Sequence, residues 1–204
     1  MSGCGCEMEA RNAQERKTLL IVLAINALMF LFEFGLGWVA QSTGLIADSL
    51  DMLADASVYA ISLYAIGRSD LLKRRSARLS GLMQIALAGL VLVDVARRFI
   101  YGSEPVSTLM MSVGLVALVA NVICLSLIMK HRDGGVHMRA SLIFSANDVI
   151  ANAGVILSGA LVWWLGSRLP DLVIGLLIAL LVLRGGVRIL QEAAEDGDCC
   201  EDGK

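Results

Sequence analysis

Aspartates stand at positions 48, 51 and 55 of a stretch that is otherwise apolar, 45–66. On a helix of about 3.6 residues per turn, these spacings gather Asp48, Asp51 and Asp55 within an arc of about 60°. Asp51 and Asp55 form an i,i+4 pair one turn apart. A second apolar stretch, 141–165, holds Asn147, Asp148 and Asn152, and Asp148 and Asn152 again share a face. The stretch 18–40 adds Asn26 and Glu33, seven apart and nearly in line, and 108–129 adds Asn121. A charge at bilayer depth costs at least ~2.5–3.5 kcal/mol, so carboxylates there face a partner or a cavity. No Lys or Arg lies deep in these stretches to neutralise them. The chemistry open to such a set is cation binding, proton transfer or acid–base catalysis.

The elements that hold these groups follow from block length. Of the 204 residues, 57% are hydrophobic, against about 45–50% apolar in a soluble domain. They fall into six long blocks, 18–40, 45–66, 82–101, 108–129, 141–165 and 172–190. About 20 apolar helical residues cross a hydrocarbon core of roughly 30 Å. The blocks do not alternate polar with apolar, which argues against barrel strands. The expected fold is an all-α integral membrane protein of six transmembrane helices, since a helix satisfies its own backbone hydrogen bonds. Residues 1–17 are polar and do not resemble a short basic start to a cleavable signal, so the first helix is expected to stay in the membrane.

An even helix count puts both termini on one side. Of the 17 Lys and Arg, all but Arg97, Arg98 and Arg168 fall on that side, and the positive-inside rule makes it cytoplasmic. The division expected is a tail over 1–17, one membrane domain over 18–190 and a second tail over 191–204. Small-residue spacings, Gly81 to Gly89 and Gly154 to Gly159, favour close helix approach.

Net charge is only −2, and the basic run 73–75 reads as a topology signal in contact with lipid headgroups rather than with nucleic acid. No Gly-x-Gly-Asp, His-Glu-x-x-His or nucleophile-elbow motif supports an enzyme. Cys4 and Cys6 in one tail and Cys199 and Cys200 in the other are candidates for a soft metal-capture site, because thiols stay reduced in the cytoplasm. Cys124, inside a block, reads as a core residue.

With these residues in view, the chain resembles the cation diffusion facilitator family, which exports zinc and related divalent metals. The segment Gly-Leu-Ile-Ala-Asp-Ser-Leu-Asp-Met-Leu-Ala-Asp over 44–55 is similar to the family's pattern of His or Asp followed four residues later by Asp. That pattern falls on Asp51 and Asp55. In the fifth block, Phe144, Ser145, Ala146, Asn147 and Asp148, followed by Ala-Gly-Val-Ile over 153–156, match the second such pair in position. Asn26, Glu33 and Asn121 also look family-like, as a polar pathway. The resemblance implies a metal site of Asp51, Asp55 and Asp148, proton antiport, a homodimer and residence in a cell (inner) membrane.

There are two departures. Phe144 occupies a position where the family usually has His or Asp and cannot ligate, so Asn152, Ser145 or a water is the candidate to complete the shell. Asp48 and Asn147 are candidates for an added or supporting role. The cytoplasmic ferredoxin-like domain expected after the sixth helix is also missing, so a short form is expected. No cofactor is implied, because the divalent cation is the substrate. An all-oxygen set suits harder ions such as Mn²⁺, whereas family habit favours Zn²⁺; Co²⁺ and Cd²⁺ are further candidates. The alternative expectation is a non-transporting metal sensor or a subunit of a larger assembly.

Overall fold

The computed structural model describes residues 4–65, 70–130 and 136–198. Among the described residues it is all-helical: α1 Cys4–Val39, α2 Thr43–Ala65, α3 Asp70–Tyr101, α4 Ser107–Met129, α5 Val136–Leu165 and α6 Leu169–Asp198. The 23 residues of α2 or α4 reach about 34 Å at 1.5 Å per residue, enough to cross a hydrocarbon core. Turns at one end of the bundle are tight, as the sequence suggests. α3 and α5 each stop at a glycine in the left-handed region, Gly102 (φ 93°) and Gly166 (φ 58°), a conformation a Cβ disfavours.

At the opposite end the helices outrun the apolar blocks. α1 starts at Cys4 rather than at 18, α3 at Asp70 rather than at 82, α5 at Val136 rather than at 141, and α6 runs on to Asp198. Hydropathy marks only the part of a helix that lipid surrounds. The flanking Glu, Arg, Lys, Gln and Ala are good helix formers and carry the helix beyond it. The expected tail 1–17 is therefore helical from Cys4 onward.

Five of the helices are apolar enough and long enough to cross a membrane: Arg16–Val39, Arg78–Tyr101, Ser107–Met129, Ser145–Leu165 and Leu169–Gln191. α2 falls outside that group, because Asp48, Asp51 and Asp55 lie within it. Its position explains how it tolerates them. α2 packs against α1, α3, α5 and α6 and touches α4, and residues 42–50 are all buried. The other helices carry most of the exposed apolar surface, including Leu28, Leu31, Trp38, Leu90, Val93, Trp163 and Trp164. Apolar outside and polar within, this is a multi-pass membrane protein.

Glycines allow a close approach between α3 and α6. A Cβ on Gly186 would stand 2.9 Å from the backbone oxygen of Gly81, and one on Gly81 would stand 2.9 Å from that of Gly186. Gly159 likewise meets Met110 of α4 at 3.0 Å, whereas Gly89 faces open space. Gly186→Ala is expected to overpack this crossing and cost about 1–3 kcal/mol, read as a lower thermal midpoint of the purified protein.

The tight end is laced together through α2. Asp171, in the first turn of α6, accepts hydrogen bonds from Ser42 Oγ (2.6 Å), Thr43 N (2.6 Å) and Gly44 N (2.9 Å). Ser42 Oγ in turn accepts from Leu45 N at 3.1 Å. The orphan N–H groups of the first turn of α2 thus all find acceptors. Nearby, Arg98 of α3 is buried, donates to Asp94 at 2.6 Å and also donates to the Gln41 carbonyl.

Candidate functional site

α2, α3, α5 and α6 enclose a cavity of about 50 Å³. Asp51 and Asp55 of α2 and Asp148 of α5 line it together, with Asn147, Gln84 of α3 and an apolar wall from α6. Helical phase brings Asp51 and Asp55 onto one wall, and α5 presents Asp148 opposite. None of the lining residues among the described ones is Lys or Arg. At about 10–15 Å³ of such space per water, the cavity has room for a few water-sized bodies. A cation with a few waters fits.

Depth follows from counting along the helices. At 1.5 Å per residue from the tight end, Asp55 lies about 18 Å down and Asp148 and Gln84 about 26 Å. In a core roughly 30 Å thick, the cavity runs from the middle toward the end that carries most of the Lys and Arg. Asn147 is exposed and sits at the rim. Asp55 and Asp148 are buried, and Asp51 is partly buried.

The remaining sequence candidates lie elsewhere. Asp48 is buried but does not line the cavity; it approaches Glu33 across the α1–α2 interface. Asn152 is buried beside Asp148, yet its amide nitrogen donates to the Asp148 backbone carbonyl at 2.8 Å, one turn back on its own helix. It is outside the cavity lining, as is the buried Ser145. Asn26 bonds its own helix in the same way, to Val22 O at 2.9 Å, and Asn121 is buried in α4. Cys124 is a free, buried thiol. Cys199 and Cys200 lie outside the described residues, as do the side chains of Cys4, Cys6 and Phe144.

No three acidic, histidine or cysteine side chains among the described residues stand close enough to hold one ion as they are. The three aspartates share a cavity without converging on a point. Gripping an ion requires their side chains, or α2 and α5 themselves, to draw in.

Two residues escaped the sequence reading. Gln84 is a lone amide in an apolar block, with no polar partner at i+3 or i+4 to raise suspicion. Asp171 sits at a block edge, where a carboxylate looks like ordinary interface. Its place two residues into a helix was the available signal, since acidic groups favour a helix start.

The sequence matches the profile of the cation efflux transmembrane domain over residues 19–75 and 72–196. It is similar to the zinc transporter ZitB of Yersinia pseudotuberculosis, with 25% identity over 190 residues covering 87% of this chain and 61% of that protein. The cadmium, cobalt and zinc/H(+)-K(+) antiporter of Bacillus velezensis is 22% identical over 195 residues, again 87% of this chain and 61% of the relative. The metal cation efflux system protein CzcD of Cupriavidus metallidurans is 24% identical over 213 residues, covering 95% and 67%. The chain thus spans 61% of the length of the first of these relatives. A matching transmembrane profile over most of the chain, on a six-helix bundle with carboxylates facing an internal cavity, makes this chain a member of the cation efflux family.

Proposed function

We propose that the protein exports divalent metal cations, zinc foremost, from the cytoplasm across a cell (inner) membrane in exchange for protons. The observation that carries this reading is the shared cavity: three carboxylates from two helices, no basic side chain among the described residues of the lining, and room for a cation with a few waters. The names of the relatives, a zinc transporter and a cadmium, cobalt and zinc antiporter among them, agree with it. Asp51, Asp55 and Asp148 are the ligands in this reading, and the ion enters past Asn147 from the Lys- and Arg-rich, cytoplasmic side. Rearrangement of α2 and α5 then opens the site outward, and protons taken up by the carboxylates release the metal. A homodimer embedded in lipid is the assembly expected.

Proton coupling has a definite sign. Metal binds the deprotonated carboxylates, so protons and metal compete for the same oxygens. Adding Zn²⁺ to weakly buffered purified protein is expected to acidify the solution, and affinity should fall as pH drops from about 8 to about 6. Equal affinity across that range, with no proton release, would rule out exchange at these carboxylates.

A further inference from the structure

We propose that Gln84 is a fourth ligand to the cation, its side-chain amide oxygen supplying a neutral donor beside Asp51, Asp55 and Asp148. This rests on reading the cavity as a cation site. Gln84 lines the same cavity as the three aspartates and is only 3% exposed. Its Oε1 is fully buried and has no hydrogen-bond partner among the described residues. Buried polar atoms almost always have one, and an exception calls for an explanation. An oxygen acceptor beside a cavity lined by carboxylates finds no donor among them once they are ionised. A cation supplies what the oxygen lacks.

The neighbouring helix keeps that space free. Gly185 of α6 lines the cavity, and a Cβ there would stand 3.3 Å from Gln84 Oε1. Gly186 would place a Cβ 3.0 Å from Gln84 Cβ. Two successive glycines therefore let α6 pass close to Gln84 without filling the space around its amide.

The chemistry of an amide oxygen fits the task. It is a hard donor that does not titrate, so it adds a bond to the ion without adding negative charge or a proton. Three carboxylates and one amide make an all-oxygen set, which favours harder ions such as Mn²⁺ relative to a set containing imidazole or thiolate. Gln84 would then hold the ion at the α3 wall, opposite α2 and α5, and bias the choice of metal.

The test is calorimetric titration of the purified full chain with Zn²⁺, Mn²⁺ and Cd²⁺, comparing wild type, Gln84→Met, Gln84→His and Asp55→Ala. Gln84→Met keeps the length of the side chain but replaces a hard oxygen with a soft thioether. Mn²⁺ affinity is expected to fall about tenfold or more, with a smaller loss for Cd²⁺. Gln84→His should shift the Zn²⁺ to Mn²⁺ affinity ratio toward zinc. A packing role would lower all three affinities together or none of them, and either pattern overturns the assignment. If binding is lost in Asp55→Ala but unchanged in both Gln84 variants, Gln84 is no ligand while the cavity remains the metal site. A wild type that binds none of the ions overturns both. Should Gln84→Met not fold, Gln84→Glu, which retains the oxygen, must bind Mn²⁺ at least as tightly as wild type; weaker binding overturns the proposal.

Discussion

Asp55→Ala is expected to weaken divalent-metal binding by at least about 100-fold while leaving thermal stability unchanged or raised. Loss of a supporting group around a metal commonly costs 10–100-fold in affinity, and loss of a ligand costs at least as much. Asp55 is 2% exposed and shares its cavity with two further carboxylates. Removing it therefore relieves burial of a charge and like-charge crowding, and alanine is the best helix former. Most core substitutions weaken folding, so the opposite signs of the two effects are diagnostic: a residue kept for function at the expense of stability. Titration with Zn²⁺ and a thermal melt of the same sample measure both. Asp51→Ala and Asp148→Ala should behave alike. Asp48→Ala, whose side chain lies against Glu33 outside the cavity, should affect binding far less.

Asp171→Ala should have the reverse signature, a loss of stability with little direct effect on the ligands. The carboxylate accepts three hydrogen bonds at the start of α2, all buried. Its removal strands a hydroxyl and two backbone N–H groups, each costing about 1–3 kcal/mol when left without a partner. It also removes a negative charge from the positive end of the helix dipole. Water reaching this end of the bundle softens the penalty, and a total near 3 kcal/mol is expected. Asp171→Asn, which keeps an acceptor oxygen, should lose less. Thermal unfolding of the two variants in detergent orders them. Equal midpoints for wild type and Asp171→Ala would show that the clasp contributes nothing.

The acidic wall of α2 was legible because helical phase is a local property. Spacings of three and four align side chains whatever surrounds the helix, and the run of apolar neighbours marked the depth. The tight connections were legible from the short gaps between blocks, 41–44, 102–107 and 166–171. What escaped depended on how two helices meet. Helical phase placed Asn152 beside Asp148, but an amide can bond its own preceding turn, and here it does. Asp48 looked like a companion of Asp51, yet the crossing of α1 and α2 turns it to Glu33. Gln84 gains meaning only from the glycines of α6 that pass beside it. Helix ends were misjudged on the charged side because the loss of hydropathy is not the loss of helix: α3 begins at Asp70, well before its apolar block.

The most direct measurement is uptake of Zn²⁺ into acid-loaded proteoliposomes carrying the wild-type chain, with Asp55→Ala vesicles and collapsed-gradient vesicles in parallel. The prediction is zinc accumulation that requires the pH gradient and is lost in Asp55→Ala, accompanied by alkalinisation of the lumen. Wild-type protein that binds zinc but moves none, with or without the gradient, would contradict transport through this cavity and leave a metal-sensing membrane protein in its place.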